Sequence, residues 1–482
     1  MGERGYFLTR VAAGIALLAC FTPAFASPAR IEIGWISRDP VLPPPNRLDA
    51  PREEGWPAPD STVTWVAHVL NHGDEAAAAV PYSWRIDGEV VDRGLVDLTP
   101  GKTKVGLRFR WTFDRHRISF AIDSKGGEGD GNELTVASDA LSLGLWVERG
   151  LYDWMLEEDR PGLERFMQRE IGRWNDILAR AVFPTTPEGA LDRIRLERVV
   201  VLPDGRRPKN EELDTDLHWT FLNDPPISRF LHKGAPPMVL ADQTIILHEL
   251  LHQRGLTDLY AYNVVHGDAG RTDSRVDITE NGRPVVGTFL MPPLSPRPSL
   301  LVVYNLDVDG VMGTRYHASA NLTEHCANGL NLVAGRRTPL WLDQWGNLIN
   351  GYANAVNPGN YLHLLPERTE LSLVDPNGAP IAGAAVDVYA DHSADTYQKI
   401  YLEKPDRVLA ADARGVAVLP GDVLDGLPPK TAPHKSQVII VGVRTSQGRG
   451  FAFIPVYDLN LLYFRSGPER GDMTLRVPMH PW

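Results

Sequence analysis

His248-Glu249-Leu250-Leu251-His252-Gln253-Arg254-Gly255-Leu256-Thr257-Asp258 is the stretch on which the reading of this chain turns. Its first five residues have the form H-E-x-x-H, and they continue the apolar run Ile245-Ile246-Leu247. The spacing predicts a buried helix over 241–255. Four helical residues turn about 400°, so the two imidazoles lie about 40° apart on one face, one turn apart. Two imidazoles so placed can reach one tetrahedral ion at about 2.0–2.1 Å. Glu249 sits too far round the helix to ligate easily, but can hydrogen-bond a water on such an ion and take its proton. Gly255 suits the left-handed residue that ends a helix and turns the chain back. Asp258 then arrives from beyond the turn as a third ligand. Two His, one Asp and a water make an open, catalytic type of Zn²⁺ site. His266 and Glu324 compete for the third position, and the Gly255 spacing favours Asp258. The bland alternative is a satisfied pair of core histidines beside a surface Glu.

The surroundings of this helix mix helices and strands over 143–345. Phe166, Ile171, Trp174, Ile177 and Leu178 recur at helical steps. Strands are expected at RIRLERVVVLP, DLHWTFLN and SLLVVYNLDV, and another helix at LTEHCANGLNLVAG. On either side the pattern changes. Residues 62–142 alternate apolar and polar between the turn signals NHGDE, TPGKT and KGGEGDGN, as in a small antiparallel sandwich. Residues 366–482 read as a second sandwich, with GRGFAFIPVYDLNLLYF taken as strand and turns at 375–378 and 412–415. The Pro-rich 27–61 reads as a linker or a first edge strand, and 346–365 as a linker.

H-E-x-x-H-x-x-G-x-x-D resembles the metzincin zinc-peptidase motif in its Asp-ending, snapalysin-like form. Met312, in the Gly-flanked run Asp307-Val308-Asp309-Gly310-Val311-Met312-Gly313, stands 60 residues after His252 and resembles that family's methionine turn. The resemblance covers 143–345. It implies a zinc endopeptidase in which His248, His252 and Asp258 hold the metal and Glu249 is the general base. Met312 would floor the site without ligating, and a strand around 217–222 would pair with extended substrate. The sequence departs from the family's larger groups at Asp258, where they have His. It departs again at Thr314, where some members have Tyr; Tyr316 is read as core. Residues 62–142 resemble CARDB-like, immunoglobulin-type modules, through the alternation and a last strand at Asn132-Glu133-Leu134-Thr135-Val136-Ala137. The C-terminal D-P-N-G-x-P-I-x-G-A-x-V and D-A-R-G-V-A-V-L runs resemble carboxypeptidase-regulatory or bacterial Ig-like modules. The expected fold is therefore multi-domain, an α+β metzincin-like catalytic domain between two all-β Ig-like sandwiches.

The N-terminus reads as an export signal. Arg4 and Arg10 precede a short apolar run, and Ala24-Phe25-Ala26 offers a cleavage site, giving a secreted, periplasmic or cell-surface protein. Leu17-Leu18-Ala19-Cys20 also resembles a lipobox, so lipid anchoring through Cys20 is the alternative. Without that segment Cys326 stands alone, so neither an internal disulfide nor a thiol cap on the metal is expected. The net charge of −12 (49 basic against 61 acidic residues) and the lack of basic runs argue against nucleic acid as a partner. No later apolar run is long enough to span a membrane. A protein or peptide is the expected substrate, with specificity set by the Pro- and Gly-rich loop 267–300. The sandwiches would recognise a surface polymer or a protein. Asp307 and Asp309 offer a structural Ca²⁺ site, against the plainer reading of a solvated turn. Two other functions fit the same residues: an inactive binding or adhesion protein on a metalloprotease fold, and a zinc amidase or deacetylase acting on cell-wall material.

Overall fold

The structure is a computed structural model that describes residues 27–41, 56–123, 132–157, 162–204, 206, 217–220, 244–257, 259, 264–266, 276–280, 283–284, 302–304, 310–313, 321–335, 360–391, 398–425 and 438–481. The proposed signal, with Cys20, lies outside them.

Seven antiparallel strands build the N-terminal unit: β1 (Ile31–Asp39), β2 (Thr62–Asn71), β3 (Ala77–Ile86), β4 (Glu89–Leu98), β5 (Gly101–Arg110), β6 (Arg117–Ile122) and β7 (Glu133–Ala137). They form sheets of order β1-β2-β5 and β4-β3-β6-β7. Strand alternation explains the sandwich: Val63, Trp65, Ala67 and Val69 of β2 point inward onto Trp84, Trp111, Ile118 and Phe120. Asp87 (φ 52) and Gly88 (φ 93) form the two-residue turn between β3 and β4, where both residues need positive φ. Of the two readings of the Pro-rich 27–61, the first edge strand holds for β1, which pairs along β2 from Ile31↔Asn71 to Asp39↔Thr64 at the edge of its sheet.

The next strand, β8 (Leu141–Glu148), crosses the expected boundary at 142 and is buried along seven of its eight residues. It lies between two parallel neighbours, β9 (Ile194–Leu202) and β10 (Leu217–Thr220), in a sheet of order β10-β8-β9. Burial on both faces accounts for its mostly apolar sequence, in which Ser142 is the one buried polar residue. Helices α1 (Arg149–Met155) and α2 (Leu163–Arg180) make the crossover to β9, and α2 buries Phe166, Met167, Ile171, Trp174, Ile177 and Leu178. Next come α3 (Thr244–Gln253), β11 (Val264–His266), β12 (Val276–Glu280), β13 (Arg283–Pro284), β14 (Val302–Tyr304) and α4 (Glu324–Val333).

The C-terminal region contains β15 (Arg368–Val374), β16 (Ala385–Tyr389), β17 (Gln398–Tyr401), β18 (Arg407–Ala410), β19 (Val416–Pro420), β20 (Val438–Arg444), β21 (Gly448–Pro455), α5 (Val456–Ser466), β22 (Arg470–Arg476) and β23 (Met479–Pro481). Its sheets have orders β19-β15-β22 and β18-β16-β20-β21-β23. The expectation of strand through Val456–Phe464 is corrected, since that run is helix α5. Pro455 precedes the helix, Asp458 occupies its first turn, and Gly467 (φ 91) ends it, while Val456, Leu459 and Asn460 are its buried residues.

The expected separation of the middle and C-terminal regions also changes. β17 pairs in parallel with β12. One hydrophobic cluster runs from Leu141 and Leu250 through Cys326 and Tyr361 to Val386 and Val477. Tyr361 and Leu362, inside the expected linker 346–365, are buried, and the Tyr361 carbonyl accepts from Asn460 Nδ2 at 2.6 Å.

Candidate metal centre

Helix α3 carries both histidines inside the protein, with His248 3% and His252 5% exposed. Their Nε2 atoms approach to 3.1 Å, with the rings nearly perpendicular at 83°. The opposite nitrogens explain this aim. His248 Nδ1 donates to the Val311 carbonyl at 2.8 Å, and His252 Nδ1 donates to the Leu256 carbonyl at 2.9 Å. A carbonyl can only accept, so in the neutral rings the proton is on Nδ1 and Nε2 is the atom that carries the ligating lone pair. Histidine ligands are commonly oriented by such a second bond. Tetrahedral coordination at about 2.0–2.1 Å separates two ligating nitrogens by about 3.3–3.4 Å. The observed separation is close to that, so the pair fits a zinc ion as two of its ligands.

The Leu256 carbonyl is delivered by the end of the helix. Gly255 N–H donates to the His252 carbonyl at 2.9 Å, and Leu256 N–H to the Leu251 carbonyl at 3.1 Å. With Gly255 at φ 87, this is a Schellman termination. It satisfies two terminal carbonyls and turns the Leu256 carbonyl back to His252. The Val311 carbonyl comes from the turn 310–313, where Gly313 N–H donates to the Gly310 carbonyl at 2.8 Å. Met312 is 1% exposed, and its carbonyl accepts from Leu259 N–H at 2.8 Å, just past the helix end. The helix end and the turn 310–313 are therefore bonded to each other and to the histidines.

The other predicted residues divide. Glu249 lies in α3 by its backbone, but its side chain is outside the described residues, as are Asp258, Asp307, Asp309, Thr314, Tyr316 and the side chain of His266. Among the described residues no group of three or more His, Cys, Asp or Glu is arranged to hold a metal. Glu324, named above as a competing third ligand, is not brought to the histidine pair. Its carboxylate pairs with Arg465, accepting from Nε at 3.3 Å and from Nη2, and also accepts from Thr185 Oγ1 at 2.9 Å. Burial works against its charge, but these donors hold the carboxyl below its ordinary value. The neighbouring His325 is stacked on Tyr457, and burial drives it down to about 4. Cys326 is a core thiol, pushed up to about 11 by burial, with Tyr361 Oη 4.0 Å from Sγ.

The sequence reading missed the carbonyls of Val311 and Leu256, because any residue supplies a carbonyl. It also missed Arg254. This side chain is 3% exposed, and its Nη2 donates to Asp192 Oδ2 at 2.7 Å and to the Val333 carbonyl at 2.9 Å. The available signal was a charged residue directly before the helix-ending Gly255, on a helix whose other residues are mostly buried.

No family model matches the chain, and no curated protein matches it. Among solved structures it is similar to the crystal structure of the CARDB domain of a Pyrococcus furiosus protein in complex with di-metal ions. The identity is 15%, over 23% of this chain and 90% of that one, with a TM-score of 0.16. The solution structure of the same CARDB domain gives 16% identity, 22% and 92% coverage, and a TM-score of 0.16.

Proposed function

We propose that this chain is an exported zinc-dependent endopeptidase. The observation that carries the reading is the convergence of His248 Nε2 and His252 Nε2 to 3.1 Å, with both Nδ1 atoms committed to backbone carbonyls. Both rings are buried, and two ring nitrogens at this separation have the spacing that two ligands of one tetrahedral cation take.

His248 and His252 would hold the zinc ion, with Asp258 as the third ligand expected from the motif. When bound, such an ion supplies a water acidified toward neutral pH and a Lewis acid for the scissile carbonyl. The Val311 and Leu256 carbonyls keep the two imidazoles in the ligating tautomer. Met312, as the family resemblance implies, would floor the site without donating to the metal. Glu249, one residue after His248, would take the proton from the attacking water and return it to the leaving amine. The burial of the pair excludes bulk water, which strengthens each of these electrostatic contacts. Export is supported by the signal-like pattern of residues 1–26. No helix of the described residues is long and apolar enough to cross a membrane.

The test is elemental analysis of protein purified without added metal, followed by hydrolysis of an unstructured protein substrate. We expect about one zinc per chain, its loss in His252→Ala, and loss of hydrolysis with zinc retained in Glu249→Gln. Zinc binding without any hydrolysis would favour the inactive binding protein, and cleavage of sugar amides but not peptides the amidase. A wild-type chain that takes no zinc even when it is offered would overturn the proposal.

A further inference from the structure

The helix that carries the histidines is tied to the N-terminal sandwich by a continuous chain of hydrogen bonds, two of them buried and the one from Trp56 part-buried. Trp56 Nε1 donates to the Gly335 carbonyl at 2.7 Å. Gly335 N–H donates to Asp192 Oδ1 at 2.7 Å, and Arg254 Nη2 donates to Asp192 Oδ2 at 2.7 Å. Arg254 stands in the Schellman turn whose Leu256 carbonyl orients His252. At the other end, Trp56 stacks on Trp111 of the sandwich with centroids 5.6 Å apart, and the Arg38 guanidinium lies over both rings. Every link joins a different part of the chain: the segment before β2, the end of α4, the approach to β9, and the end of α3.

From this we infer that Arg254 and Trp56 are positioning residues for the metal site, and that the N-terminal sandwich is a structural component of that site and not merely an appended binding module. The inference rests on the proposed zinc reading. The physical reason is the fixed place of the charge. A guanidinium at 3% exposure cannot leave its partners without losing a buried ion pair, so the helix end must stay where Asp192 and the Val333 carbonyl hold it. Asp192 is held in turn by Gly335, whose carbonyl is fixed by the indole of Trp56. The Leu256 carbonyl, and with it the direction of His252 Nε2, inherits that placement. Outer partners of metal-binding histidines typically change metal affinity about 10–100-fold when removed.

The experiment is a zinc dissociation constant, measured by competition with a chromogenic chelator, on the full chain and on three variants. Arg254→Met removes the charge, Arg254→Lys restores a cation that can reach the same two oxygens, and Trp56→Phe keeps the stack on Trp111 while deleting the N–H. Circular dichroism and tryptophan emission establish that each variant is folded. We expect Arg254→Met to bind zinc at least tenfold more weakly, Arg254→Lys to recover most of that loss, and Trp56→Phe to weaken binding about fivefold, one lost hydrogen bond. Should Arg254→Met not fold, Trp56→Phe decides alone. Zinc binding by wild type with all folded variants within twofold of it would overturn this inference and leave the metal reading standing. A wild-type chain that takes no zinc would overturn both.

Discussion

Gly255 is the residue through which backbone conformation reaches the candidate metal centre, and its replacement has a magnitude that the geometry fixes. Its φ of 87 belongs to the left-handed region, where a Cβ costs about 1–2 kcal/mol. Alanine also restricts the unfolded chain, which offsets about 0.4–1 kcal/mol, so Gly255→Ala should destabilise by about 1 kcal/mol net. The second effect is local. If the turn shifts to relieve the strain, the Leu256 carbonyl withdraws from the 2.9 Å bond to His252 Nδ1. The ring is then free to rotate or to change tautomer, and zinc affinity should fall about tenfold. Gly255→Asn separates strain from the mere loss of glycine, since Asn tolerates this conformation. Denaturant unfolding gives the stability and chelator competition gives the affinity. Expected is the order wild type, Asn, Ala in both measurements. An alanine variant with wild-type stability and zinc affinity would refute the reasoning, as would an asparagine variant no better than alanine.

Glu164 is 2% exposed, and burial raises its carboxyl above the ordinary value, with the Glu32 charge adding to the effect and the Tyr152 hydroxyl, 3.0 Å from Oε1, opposing it. A raised folded-state pKa contributes stability that is present below the unfolded value and lost as pH rises through the folded one. Glu164→Gln should therefore unfold at higher denaturant than wild type at neutral and alkaline pH, with the difference vanishing in acid; equal pH profiles would count against it. Arg195 and Glu197 form a buried pair beneath the sandwich, the two side chains 0% and 3% exposed, with Arg195 also donating to Ser142 Oγ at 3.1 Å. Glu197→Ala leaves an uncompensated guanidinium and should cost about 3–5 kcal/mol, whereas Arg195→Met with Glu197→Leu should cost far less; denaturant melts of the single and double variants check the order. Met312 is 1% exposed, so Met312→Ala opens a core cavity and should cost about 2–5 kcal/mol, while Met312→Leu should cost under about 1.5 kcal/mol and retain zinc. Loss of zinc in the leucine variant at unchanged stability would mean that the sulfur, not its volume, matters.

Local periodicity made much of this molecule legible. The helix of the H-E-x-x-H stretch and the meeting of its histidines follow from a rise and turn that every helix shares. The strands of the first sandwich follow from alternation, as in Val63, Trp65, Ala67 and Val69. Gly255 could be read as a helix stop because the left-handed conformation favours glycine over residues with a Cβ. These features depend on near neighbours in the chain, so the amino acids alone determined them.

Other features depended on what a segment meets. Val456–Phe464 has enough β-forming residues to read as strand, yet it folds as α5, with Val456 and Leu459 buried and Asn460 bonded to the Tyr361 carbonyl. Ile31–Asp39 sits within a Pro-rich stretch that reads equally as linker or edge strand, and its pairing along β2 decides for the strand. Glu324 has the chemistry of a ligand, but Arg465, 141 residues away, claims its carboxylate. The carbonyls that aim the histidines, and the Arg254–Asp192–Gly335–Trp56 chain behind them, leave little trace in composition or spacing. Hydrogen bonds to backbone atoms and buried ion pairs are chosen by proximity in three dimensions. The sequence by itself therefore determined the helix, its paired imidazoles and the first sandwich, and the tertiary structure alone decided which distant groups hold them in place.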